Sequence, residues 1–253
     1  MKTQLAIELS ENAVRFASIE DGVVQAVDNF IFKDKIDYRY KEQLDQIFSE
    51  KGYKEMVFDE YSLSWYSTFS TILPNNVFAE TNLEALFILC FSEVVPHNNI
   101  DYNRIPELGI VNAFAIPLWV KSFFVIKFPR IVIQHEGSHL LHGIFSGSTF
   151  NFQAVIILHE TSFNLVITYE NGLQFYSHFN FDSIDDVVYN FIFSVQQKNL
   201  LGHAGNLIIS AGVGSNDQQA IELKLKLASL TDLKTCKISI NSHLILNYQT
   251  LCV

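Results

Sequence analysis

Basic residues are scarce in this chain: 17 Lys and Arg stand against 27 Asp and Glu over 253 residues, a net charge of −10. Phosphate binding needs clustered cations, so the deficit excludes a nucleic-acid partner and disfavours an anionic membrane surface. Charged residues of both signs make up only 17% of the chain and apolar residues 49%, which provides for a core and excludes disorder. Cysteine is almost missing. Cys90, Cys236 and Cys252 are odd in number, far apart and without a C-x-x-C, a pattern that fits buried or free thiols in a reducing cytosol. Cys90, inside ALFILCF, reads as a core residue. Long apolar runs are lacking too. The best, Ala113 to Phe128, is broken by Lys121 and Lys127, so no direct membrane insertion is expected. The opening MKTQLAIELSENA has its apolar run cut by Glu8 and does not read as a signal peptide. Neither a Walker A sequence nor a G-x-S-x-G elbow occurs.

What the chain does contain, it contains twice. Leu5 to Asp37 (LAIELSENAVRFASIEDGVVQAVDNFIFKDKID) resembles Val155 to Asp185 (VIILHETSFNLVITYENGLQFYSHFNFDSID). In each, an apolar strand passes through a short polar turn, Ser10-Glu11-Asn12 or His159 to Ser162, into a second strand. That strand ends at Glu20-Asp21-Gly22 or Glu170-Asn171-Gly172, and Asp-Gly and Asn-Gly are preferred centres of two-residue hairpin turns. A third strand follows, then Phe-x-x-x-Ile-Asp or Phe-x-x-Ile-Asp. The period then becomes helical. Ile184, Val187, Val188, Phe191, Ile192 and Val195 recur at helix spacing, with Asp182 or Ser183 as the cap. Tyr38, Leu44, Ile47 and Phe48 give a weaker version, and a further strand is expected at Glu55 to Phe58 and at Asn206 to Ser210.

The middle departs from this pattern. All five prolines lie between residues 74 and 129. Strand-like runs (Tyr66 to Leu73, Gly109 to Ile116) alternate there with helical ones (Leu83 to Phe91, Leu118 to Phe128). The expected division is a first half over 1–150, with an inserted subdomain at about 72–130, and a second half over 151–253.

Duplicated three-strand meanders, each followed by a helix and a strand and flanking an insertion, resemble the actin-like ATPase fold. Hsp70, sugar kinases, FtsA and PilM share it, and the layout is most similar to a bacterial family on the PilM/FtsA branch. The resemblance implies an α/β protein of two ribonuclease H-like halves, with nucleotide held in the cleft between them by backbone amides of the hairpin turns. It points to Glu8 and Ser10 on the first turn, Glu160 on the second, and Gly212 and Gly214 near the adenosine. Glu8 keeps an acid where the family places its metal-coordinating Asp. Neither turn contains glycine, so side chains would crowd a triphosphate, and Glu11 and Glu160 would repel it. Ser210 to Ser215 (SAGVGS) alone keeps a glycine pattern.

Residues 135 to 139, HEGSH, match the zinc-binding H-E-x-x-H. That chemistry needs His135 and His139 on one continuous helix, with Glu136 beside a metal-bound water. The preceding Arg130-Ile131-Val132-Ile133 is strand-like, which starts the helix near Glu136 or Gly137, and Gly137 weakens it. A third ligand would have to be Glu160, or else His142 at i+7. The alternative is an amphipathic helix burying Leu140, Leu141 and Ile144 with histidines at its rim. Asp182, Asp185 and Asp186 suit a helix dipole as well as a cation, and IELKLKLASL (Ile221 to Leu230) suits helix or strand.

The expected function is a non-catalytic cytoplasmic scaffold that takes a protein or peptide partner and needs no cofactor; a homodimer is compatible with it. One alternative is an ATPase or switch binding ATP with Mg²⁺, and another is a zinc hydrolase on His135 and His139.

Overall fold

A computed structural model describes residues 2–33, 37–53 and 55–252, apart from the side chains of residues 37 and 38. Ile36, expected at the end of the first copy, and the Tyr38 side chain lie outside the described residues. The chain forms two compact units: Met1–Gly143 together with Ile245–Val253, and Ile144–Leu244.

In the first unit, β1 (Thr3–Leu9), β2 (Ala13–Glu20) and β3 (Val23–Ile31) form the meander, followed by α1 (Asp37–Glu50) and β4 (Glu60–Trp65). After β4 come β5 (Ser70–Pro74), α2 (Leu83–Phe91), β6 (Ile100–Ile105), β7 (Ile110–Ala115) and α3 (Leu118–Lys127). The chain returns as β8 (Val132–His135) and α4 (Glu136–Phe145). The main sheet has the order β3-β2-β1-β4-β8, and β5-β7-β6 form a separate three-stranded sheet. Strand alternation builds the core. Leu5, Ile7 and Leu9 of β1 point to one face, where they meet Phe16, Leu44, Phe48, Trp65, Val120 and Phe124. Ala6, on the other face, packs with Ala17, Ile19 and Leu246.

The second unit holds β9 (Phe152–Leu158), β10 (Ser162–Tyr169), β11 (Gly172–Asn180), α5 (Ile184–Gln197), β12 (Gly205–Ala211), α6 (Asp217–Ala228) and β13 (Cys236–Ile240). Its sheet order, β11-β10-β9-β12-β13, is that of the first. From Ile245 onward α7 (Leu244–Gln249) belongs to the first unit.

The duplication extends to single hydrogen bonds. Thr3 to Phe152, Ala13 to Ser162 and Val23 to Gly172 are each steps of 149 residues. The Ser10 N–H donates to Ala13 O at 2.9 Å and the His159 N–H to Ser162 O at 2.8 Å. The Phe32 N–H donates to Asn12 O and the Phe181 N–H to Thr161 O. Both β2–β3 and β10–β11 carry an irregularity at the same relative point, Ser18/Ile19 and Ile167/Thr168.

Several expectations are corrected. The first hairpin turns on Asp21 and Gly22, at φ 47° and 79°, as expected. The second turns on Glu170 and Asn171, at φ 53° and 59°, one residue earlier than Asn-Gly implies. There the amides of Glu170 and Asn171 donate to the Phe150 and Thr149 carbonyls, which fix the turn ahead of the glycine. The strand expected at Glu55 to Phe58 is instead β4, beginning at Glu60; Val57 is 90% exposed. The polar alternation of Tyr61-Ser62-Leu63-Ser64-Trp65 hides a central strand, with Ser62 and Ser64 buried beside Leu63 and Trp65. Cys90 is exposed, not core, because α2 turns Leu83 and Phe87 inward. Ile221 to Ala228 is helical, as part of α6.

Candidate functional site

The first turn follows from β1. Glu8 shares a face with Ala6 and stands directly opposite Arg15 of β2, which stands opposite Asn29 of β3. These cross-strand neighbours bond in series. Arg15 Nη1 donates to Glu8 Oε2 at 2.7 Å, and Arg15 Nε to Asn29 Oδ1 at 2.7 Å. The Glu8 and Arg15 side chains are 6% and 9% exposed, so this is a buried ion pair. The acid expected to hold a metal is already charge-paired within its own sheet.

Ser10 closes the turn. Its Oγ accepts the N–H of Asn12 at 3.2 Å and of Ala13 at 3.1 Å. Those are the amides that a phosphate-binding turn would present to its ligand. Here a hydroxyl of the same turn takes them.

In the second unit the equivalent ladder is Ile157, Asn164 and His178 on β9, β10 and β11, with His178 Nδ1 3.3 Å from Asn164 Oδ1. Ile157 occupies the position of Glu8, so the repeat carries no second acid there. Glu160 is exposed on the turn. Gly212, just after β12, donates its N–H to Leu158 O at 2.7 Å. A Cβ at Gly212 would lie 2.3 Å from His159 Cε1, so the imidazole of the second turn packs directly onto the glycine. The close approach that Gly212 permits is used by a side chain of this chain. Gly214 adopts φ 79° and Ser215 Oγ donates to Gly212 O, which makes the segment a closed turn.

Sequence reasoning singled out Glu8, Ser10, Glu160, Gly212 and Gly214. It did not single out Arg15 and Asn29, which the structure bonds in series with Glu8, or the His159 ring, which it sets against Gly212. Arg15 was available from register. Pairing Leu9 with Val14 across the turn sets Glu8 opposite Arg15.

The HEGSH segment divides as its sequence suggests: His135 ends β8 and Glu136 begins α4. His135 Nε2 lies 3.0 Å from Ser67 O, and Nδ1 accepts the Gly137 N–H at 3.0 Å, so the ring is protonated on Nε2. The lone pair of Nδ1 therefore points into its own helix start. His139 is wholly buried, and that burial pushes its pKa down to about 3, opposed by the Leu63 backbone. His142 bonds Glu107. Among the described residues no group of three or more His, Cys, Asp or Glu stands ready to hold a metal ion. The acids near α5 have structural partners: Asp186 caps the helix through Ser183, whose N–H lowers its pKa, and Asp185 pairs with Lys226.

Comparison with known proteins agrees with this architecture. A model of the family described as "Protein of unknown function (DUF3822)" matches residues 1–225. A Bacteroides thetaiotaomicron protein with an actin-like ATPase fold and unknown function aligns at TM-score 0.76 and 15% identity, over 98% of this chain and 96% of that one. PilM in the PilM–PilN type IV pilus biogenesis complex aligns at TM-score 0.53 and 9% identity, over 93% and 90%. The ethanolamine utilization protein EutJ of Carboxydothermus hydrogenoformans aligns at TM-score 0.52 and 7% identity, over 98% and 88%. A search of curated proteins returns no match. The fold is that of the actin-like ATPases, and among the described residues no helix is long and apolar enough to cross a membrane.

Proposed function

The chain belongs to the DUF3822 family and has the actin-like ATPase fold, and from that premise we propose that it is a non-catalytic cytoplasmic scaffold that binds a protein partner. The observation that carries this reading is the first turn. Its Asn12 and Ala13 amides donate to Ser10 Oγ, and its acid is neutralised by Arg15. A Mg-nucleotide would have to displace both sets of bonds before making its own. The His159 ring against Gly212 supports the same reading in the second unit. A protein partner is in keeping with the PilM structure, which is a complex with PilN.

A second reading is a nucleotide switch, with ATP and Mg²⁺ held by Glu8, Ser10, Glu160, Gly212 and Gly214. In its favour, Glu8 and Gly212 stand at the C-terminal ends of β1 and β12, where parallel strands of α/β folds present their ligands. Calorimetric titration of the full chain with Mg-ATP to millimolar concentration separates the two. The scaffold reading expects no binding heat and no phosphate release. Micromolar binding, lost in Glu8→Ala, would replace it with the switch.

A further inference from the structure

Helix α2 is built for an interior it does not occupy. Eight of its nine residues, LEALFILCF, are apolar, and Glu84 is the exception. A helix apolar on all sides belongs inside a protein. Yet only Leu83 and Phe87 are buried, against Ile100 and Ala113 of the β5-β7-β6 sheet. On the outer side Ile88 is 48% and Leu89 82% exposed, with Cys90 exposed beside them, and Val94 just beyond the helix is 80% exposed. Phe69, 36% exposed, packs on Phe91 at 5.3 Å between ring centroids and extends the patch around the helix end. Contiguous exposed apolar surface of this kind marks an interaction site.

Charge identifies the occupant. Residues 55–103 hold seven carboxylates and no Lys or Arg. Three of these acids, Glu80, Glu84 and Glu93, are exposed before, within and after α2. The nearest cation along the chain, Arg104, is drawn over the Phe78 and Tyr102 rings. An apolar strip with exposed Glu84 and Glu93 at its rim, and Glu80 held by the Tyr102 hydroxyl, complements an apolar strip rimmed by base. It repels an anionic lipid surface, and a second copy of a chain carrying −10 would bring acid against acid.

We propose that the outer face of α2 is a docking surface for a basic amphipathic segment of a partner protein, whose apolar side covers Ile88, Leu89 and Val94 and whose Lys or Arg residues meet Glu80, Glu84 and Glu93. The proposal rests on the scaffold reading and adds the surface and the partner's chemistry. Specificity comes from the acids and affinity from the apolar strip.

The test uses the full-length protein and a labelled synthetic amphipathic peptide, about 18 residues long so that it is helical in solution, with a leucine face flanked by lysines. A matched peptide has glutamates in place of the lysines. Fluorescence anisotropy should give micromolar binding for the lysine peptide, weakened about tenfold by Ile88→Ser/Leu89→Ser. Glu84→Gln/Glu93→Gln should weaken it less and flatten its salt dependence. All four positions are exposed, so the variants should fold, and circular dichroism checks this. Equal binding of the glutamate peptide, no binding of either, or pelleting with phosphatidylserine vesicles would overturn the proposal. So would a dimer by light scattering that Ile88→Ser/Leu89→Ser dissolves. Failure of the scaffold reading is seen separately, as Mg-ATP binding that these variants leave unchanged.

Discussion

Two side chains carry most of the proposed scaffold reading. Glu8 is placed by strand alternation where an actin-like fold wants an acid, and the same alternation places Arg15 opposite it. With both nearly excluded from water, the pair stays stable only while each partner has the other. Arg15→Met should therefore lower unfolding free energy by about 3–5 kcal/mol, while Glu8→Leu/Arg15→Met, which removes both charges, should recover most of it. Denaturant titration of the two singles and the double measures this. Strict additivity would mean that the pair is not a unit. Gly212 makes the matching case in the second unit. Gly212→Ala puts a methyl within 2.3 Å of the His159 ring and should cost about 1–3 kcal/mol. His159→Ala should relieve that cost. If it does not, the ring is not what constrains Gly212.

At the scale of elements, the histidine-rich segment is split by the end of β8, and His135 and His139 are fully buried, not at the helix rim that the amphipathic pattern implied. His139, buried in the middle of α4, is held neutral with its pKa near 3 against an ordinary 6.5. The unfolded chain therefore binds a proton there that the folded chain refuses. Stability is complete above about pH 6.5 and falls by up to about 1.4 kcal/mol per pH unit between there and pH 3. Chemical denaturation at pH 7, 6 and 5 should show this slope in the native protein and a reduced one in His139→Leu, a swap of similar volume. Equal slopes would place the acid lability elsewhere. The α4 boundary itself was legible, because β-branched Ile131-Val132-Ile133 favours a strand and Glu136 a helix start. So were α2, α3, β7, α5 and β12, all strongly apolar. β4 was not, since both its serines are buried and not turned to solvent, Ser62 against Gln4 and Gln249. β13 and α7 were not read either. CKISI and LILNYQ are short, and their pairing with β12 and with residues far upstream is set by tertiary contact.

Over the whole molecule, the step of 149 residues made the fold legible, because a repeated meander constrains six strands at once. What no local pattern announces is that the chain ends in its first unit. Gln249 is completely buried there: Ser62 Oγ donates to its Oε1 at 2.7 Å, and Gln4 Nε2 donates to Ser62 Oγ at 2.9 Å and to the Gln249 carbonyl at 3.4 Å. Ser62 and Gln249 are 187 residues apart in sequence, so the first unit is completed by a contact across the whole of the second unit's sequence. Leu246 adds a fully buried side chain, and Gly143 leaves room for Tyr248, whose ring would otherwise meet a Cβ at 2.0 Å. The second unit, by contrast, is one continuous segment with its own core. The two units should then respond differently to damage in α7. Gln249→Leu removes the acceptor of the buried Ser62 hydroxyl, and should cost about 1–3 kcal/mol in the first unit. Native-state hydrogen exchange should show amides of β1, β2 and β4 losing protection while those of β9, β10 and β12 keep theirs. Uniform loss through both sheets would mean that the molecule opens as one cooperative body and that the closing helix stabilises the second unit as much as the first.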